Sequence, residues 1–149
     1  VIAAGGIADG RGLLAALSLG ASGVQMGTRF VCAAECIAHP KYKEKITKAG
    51  DRDTVVTGHT TGHPVRTIKN RLSREYSERE SAGATAEEME RLGAGKYAAA
   101  ALGGDVDHGS VLAGQISGLI RDVKPAKDIM ADIIQDAEKQ LQRLGNLIF

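Results

Sequence analysis

The sequence predicts an α/β fold, and three observations carry that prediction. Val1-Ile-Ala-Ala4 is a short apolar run closed by Gly5-Gly6, and Ala21 to Met26 is a second one closed by Gly27-Thr28. Between them, Gly10 to Leu19 places Leu13, Leu14 and Leu17 among small alanines, which suits a helix lying on a sheet. Strand, glycine turn, helix, strand and glycine turn in such a short span demand a parallel pair joined by a right-handed helical crossover.

Each element has a local reason. The first run reads as a strand buried on both faces, because a continuous apolar stretch stopped by a tight turn is the mark of a parallel-sheet strand. Asp9 is placed to cap the helix that follows, and Gly20 to end it. Phe30 to Ala38 reads as a further helix, and Pro40 restarts a helical stretch in which Lys41 to Ala49 is amphipathic before Gly50 stops it. Thr54 to Thr57 is β-branched and reads as a short strand or extended arm. From Pro64, the spacing of Val65, Ile68, Leu72 and Tyr76 predicts a helix. Ser81 to Ala84 is small and loop-like, and Thr85-Ala-Glu-Glu88 has the form of a capping box, so a helix starts there and breaks at Gly93. Lys96 to Leu102 predicts one more helical piece, and Val111 to Ile120 another. The stripe Ile129, Met130, Ile133, Ile134, Ala137, Leu141 and Leu144, introduced by Pro125, predicts the last. Residues 1–38 therefore read as an α/β body and 39–149 as a mostly helical subdomain that returns to it.

Composition excludes several classes. Nineteen basic and 18 acidic side chains leave a net charge of +1, so no strong nucleic-acid or membrane field is implied. Aromatics are 3% with no Trp, too few for a base-stacking platform. No apolar run approaches the ~20 residues that span a bilayer. Cys32 and Cys36, four apart in a stretch read as helical, suit small buried hydrophobes better than metal ligands. Even with His39 they would lack a fourth donor. A reducing cytoplasmic setting is the matching expectation.

The chemistry lies in the two glycine turns, Ala4-Gly5-Gly6-Ile7 and Gln25-Met26-Gly27-Thr28, at the ends of successive parallel strands. A phosphate needs several converging backbone N–H donors, and only glycine lets the chain approach it without a Cβ in the way. Thr28 adds a hydroxyl and Arg29 a candidate counter-charge. The same glycines also suit plain tight turns, and spacing alone leaves both readings open. Other signatures fail. Gly95-Lys96 lacks the remainder of a P-loop, because Tyr97 and Glu90 occupy its Ser/Thr and first-glycine places. His59 and His63 lie in a Gly- and Thr-rich loop without a carboxylate, and Ser110, His108 and Asp107 are near one another only in sequence. Arg66, Lys69, Arg71 and Arg74 form either a solvated face or a docking surface for an acidic partner or a dinucleotide.

The stretch VIAAGGIADGRGLLAALSLGASGVQMGTRF resembles the superfamily of nitronate monooxygenases and flavin-dependent enoyl-acyl-carrier-protein reductases, and the resemblance continues through HPKYKEKI, TGHPVRTIKNRL and GDVDHGSVLAGQISGLI. It implies the C-terminal part of a TIM (β/α)8 barrel, with the two strands as the seventh and eighth. A complete barrel needs ~250 residues, so 149 residues opening at Val1 without Met read as a fragment. The resemblance further implies that Gly5, Gly6, Gln25, Met26, Gly27 and Thr28 hold the phosphate of FMN, and that Ser110 to Gln115 lies near the flavin and substrate pocket. The GHPVRTIKN and HGSVLAGQISG stretches look most like the enoyl reductase branch, in which NAD(P)H reduces FMN and the flavin passes a hydride to a 2-enoyl thioester. That branch implies an acyl carrier protein or acyl thioester as partner, and a homodimer is compatible with it. The family's catalytic histidine belongs to an earlier strand-end loop, so no histidine of this chain takes that role.

Overall fold

A computed structural model describes residues 1–147. In chain order the elements are β1 (Ile2–Ala4), α1 (Gly10–Ser18), β2 (Gly23–Gln25), α2 (Thr28–Val31), α3 (Pro40–Thr47), β3 (Thr54–Thr57), β4 (Val65–Ile68), α4 (Arg71–Ser81), α5 (Ala86–Gly93), α6 (Lys96–Ala101), a 3-10 turn (Gln115–Leu119) and α7 (Ala126–Gly145). They form two compact units, one of Val1–Cys36 with the described residues from Asp122 onward and one of Ile37–Arg121.

The first unit is α/β. Strands β1 and β2 pair in parallel, Ile2 beside Gly23 and Ala4 beside Gln25, and α1 makes the crossover. Asp9 caps α1, its carboxylate accepting from the Gly12 amide at 3.0 Å. α7 packs along α1, and Gly10 makes the approach close: a Cβ there would lie 2.6 Å from the Ile133 carbonyl oxygen and from the Asp136 carbonyl carbon. The core is small, with Ala33, Ile129 and Ile133 buried and Leu13, Met26 and Phe30 packed against them.

The first unit's opening segment ends at Cys36, beside the expected division at residue 38. The segment after Asp122 belongs with the first unit, because the stripe of α7 finds its apolar partner in α1. Burial of the first strand on both faces is corrected. Val1 is 94% and Ile2 61% exposed, since the two-stranded sheet has no layer over these side chains among the described residues.

The second unit is built on an antiparallel hairpin, β3 with β4, Thr54 beside Ile68 and Thr57 beside Val65. This overturns the helix expected from Pro64. Val65, Thr67 and Ile68 are β-branched, and Gly58 and Gly62, both at positive φ, turn the chain back onto β3. The helix starts only at Arg71, where Asn70 and Ser73 form a capping box. Val111 to Ile120 is likewise not a helix. The Val111 carbonyl accepts from the Ile68 amide and the Ala113 amide donates to the Arg66 carbonyl, so this segment lies along β4 and closes with the 3-10 turn. The capping box at Thr85 forms as the sequence predicts, Thr85 and Glu88 each satisfying the other's backbone amide. Ile46, Met89, Val111 and Ile120 are fully buried and fill the core.

Phe30 to Ala38 also departs from expectation. Helix α2 stops at Val31, and from Cys32 the chain turns so that Ala33 pairs with Lys124 in a parallel bridge. Cys32 is buried and Cys36 partly so, both as thiols. No helix among the described residues is long and apolar enough to cross a membrane.

Candidate functional site

The two glycine turns leave the same end of two hydrogen-bonded parallel strands. Because Ala4 is in register with Gln25, Gly5 and Gly6 leave β1 where Met26 and Gly27 leave β2. Gly5 and Gly6 have φ of +93° and +70°, a region that side chains with a Cβ enter only with strain. A Cβ built on Gly5, Gly6 or Gly27 would meet nothing within 4 Å, so the space in front of all three is open. The backbone of each turn is thus exposed, with room for a ligand to approach it. That arrangement fits a phosphoryl group held by main-chain donors.

The other candidate positions divide by role. Gln25 ends β2 with an exposed side chain. The Met26 side chain packs on the Ala33, Ile129 and Ile133 cluster, so what it offers a ligand is its backbone. Thr28 follows the N-cap Gly27 and is the first residue of α2.

Arg29 does not stand as a free counter-charge. It is 7% exposed, and its guanidinium donates to the Asp122 carbonyl at 3.0 Å and to the Asp122 carboxylate at 2.7 Å. Lys124 adds a second cation on Asp122 at 3.1 Å and also pairs with Asp132 at 2.7 Å. Burial acts to raise the Asp122 carboxyl, but Lys124 and Arg29 outweigh it and hold it below the ordinary aspartate value. Both carboxylate oxygens of Glu35 accept from the Ala126 amide at the start of α7. No local signal reveals the bonds from Arg29 to Asp122 and from Ala126 to Glu35, since each joins residues some ninety positions apart.

In the second unit, Ser110 lines a cavity of about 230 Å³ with Thr57, His63, Asn70, Tyr76 and Met89. His108 lies against Asp105 at 3.4 Å, and Asp107 faces Lys45 at 3.8 Å, so Ser110, His108 and Asp107 do not assemble a relay. Backbone and side-chain bonds from His108 hold the Asp105 carboxyl below its usual value. His59 and His63 flank the hairpin turn, where Thr61 donates to the Gly58 carbonyl. Among the described residues, no three His, Cys, Asp or Glu side chains converge as a metal site would require. The basic residues expected on one helix are split: Arg66 is on β4, where it donates to Thr54 at 3.0 Å, whereas Arg71 and Arg74 are on α4.

Comparison with known proteins shows what the chain is similar to. The chain is 34% identical to the nitronate monooxygenase of Neurospora crassa, over 97% of this chain and 39% of that protein. It is 38% identical to a probable nitronate monooxygenase of Staphylococcus aureus, over 95% of this chain and 40% of that one. Among solved structures, FabK from Thermotoga maritima superposes with a TM-score of 0.94 at 47% identity, covering 99% of this chain and 47% of FabK. A nitroalkane oxidase from Streptomyces ansochromogenes superposes with a TM-score of 0.77 at 29% identity, covering 97% and 41%. The chain therefore spans less than half the length of these relatives. The nitronate monooxygenase family profile matches residues 1–136, and the chain belongs to that family.

Proposed function

We propose that this chain is the C-terminal portion of an FMN-dependent (β/α)8-barrel oxidoreductase, and that Gly5, Gly6 and Gln25 to Thr28 hold the FMN phosphate. The observation that carries the reading is the pair of glycine turns at adjacent parallel strand ends, with positive φ at Gly5 and Gly6 and open space before Gly5, Gly6 and Gly27. Main-chain N–H groups there would cradle the phosphoryl oxygens, and Thr28 would add a hydroxyl donor. The exposed Val1 and Ile2 side chains are where further barrel layers would lie in the longer relatives.

Of the two activities the family offers, we take reduction of a 2-enoyl thioester at the expense of NAD(P)H as the first reading. The chain is 47% identical to FabK and 29% to nitroalkane oxidase. The GHPVRTIKN and HGSVLAGQISG stretches point the same way. FMN held there would supply hydride chemistry between NAD(P)H and a 2-enoyl thioester. The protein's part is to fix the flavin's phosphate and orient the ring. Acyl carrier protein or a free acyl thioester is the proposed partner.

Nitronate oxidation is the second reading, favoured by the family profile and by the names of the curated relatives. An anaerobic assay separates the two. If NADH bleaches the flavin and crotonyl thioester restores its colour, the reductase reading holds. If only a nitronate reduces the flavin, that reading fails.

A further inference from the structure

We infer that Arg29, locked to Asp122, is a positioning residue for the phosphate-binding turn, so that the chain's returning segment, Asp122 to Ala126, completes a site otherwise built from its first 30 residues. The inference rests on the FMN reading above.

Arg29 is the next residue after Thr28, at the point where the second glycine turn becomes α2. Its side chain is buried, and its guanidinium donates to two acceptors of Asp122, one on the main chain and one on the carboxylate. A two-pronged guanidinium contact of this sort fixes direction as well as distance, which a single ammonium cannot do. Four further contacts tie the same segment down. Lys124 bridges Asp122 and Asp132, Ala33 pairs with Lys124, the Ala34 amide donates to the Lys124 carbonyl at 2.8 Å, and Glu35 caps Ala126. The residues just after the turn are thereby held at several points by a segment that arrives 90 residues later. A turn that binds a phosphate through main-chain amides works only if those amides keep their aim, because a shift of even a fraction of an ångström spoils the convergence. Arg29 is thus assigned a role in orientation, and its charge is spent on Asp122 rather than on the ligand.

The test compares FMN with riboflavin, which lacks the phosphate, by fluorescence titration of the flavin-free protein. Arg29→Lys and Asp122→Ala should each lose at least tenfold in FMN affinity while riboflavin affinity changes less than twofold. Asp122→Asn, which keeps an acceptor for the guanidinium, should recover part of the loss. Arg91→Gln, which breaks an exposed pair on α5, is the control. Because each ratio comes from one preparation, a partly unfolded fraction cancels from it. Equal weakening for both flavins, or for neither, would overturn the positioning role. If the unmodified protein itself prefers FMN to riboflavin by less than tenfold, the phosphate reading falls and takes this inference with it.

Discussion

The two units solve the problem of stability in different ways. The second unit keeps its large apolar residues inside: Ile46, Met89, Val111, Ile120, Tyr42 and Leu72 are buried around a hairpin whose turns and helices are capped locally. The first unit buries mainly small residues together with Ile129 and Ile133, and leaves Ile2, Leu19, Met130, Ile134 and Leu141 exposed. It is nonetheless the unit that carries the glycine turns. Hydrophobic burial follows area removed from water, so the first unit draws less from its interior and depends more on one close helix contact and on charged pairs. The turns proposed to hold the phosphate lie on this unit, and a ligand bound there would stabilise it by mass action.

The largest expected effect is in the second unit. Met89→Ala empties a fully buried position and should cost about 2–5 kcal/mol in urea unfolding; a loss below 1 kcal/mol would mean that the core there collapses freely. Next is Gly10→Ala in the first unit. A Cβ at Gly10 meets only backbone atoms of α7, so α1 and α7 must separate, at a cost of about 1–3 kcal/mol. A loss below about 0.5 kcal/mol, the scatter of a neutral surface change, would show that α1 and α7 are not in close contact at Gly10. Thr85→Ala removes the cap of α5 and should cost about 1 kcal/mol, with loss of helical circular dichroism and no change in flavin binding.

Acid should weaken the first unit. At Asp9, burial raises the carboxyl, but the Gly12 amide and Arg11 prevail and hold it low, and Asp122 is held low by Lys124 and Arg29. A depressed folded value means that the stabilisation is complete above the unfolded value and disappears as pH falls through the folded one. Both contributions should therefore be intact at neutral pH and fade below about pH 4. Asp9→Asn and Asp122→Asn should flatten the acid limb of a stability profile, and an unchanged limb would assign the acid sensitivity elsewhere. The smallest effect belongs to Lys48→Gln. Its pair with Glu44 is exposed on both sides and solvent-screened, so the unfolding midpoint should not move measurably.

What the residues disclose depends on how local the deciding contact is. Asp9, the Thr85 box and the α7 stripe are readable because cap and helix lie within one turn of each other, and the strand, helix, strand order around the glycines is readable for the same reason. Val65, Ile68, Leu72 and Tyr76 misled because their spacing fits a helix, whereas the choice was made by pairing with Thr54–Thr57 across a turn. Phe30 to Ala38 and Val111 to Ile120 failed likewise, one drawn out by Lys124 and the other by β4. In the candidate site the turns themselves could be found from Gly5, Gly6 and Gly27. The bond from Arg29 to Asp122 could not, since 93 positions separate its ends.

A crystal structure of the flavin-loaded protein tests the central claim most directly. The FMN phosphate should lie between the two turns, with its oxygens accepting from main-chain amides of both Gly5-Gly6 and Gly27-Thr28 at about 2.7–3.1 Å. A phosphate found elsewhere, or held by only one of the turns, would contradict it.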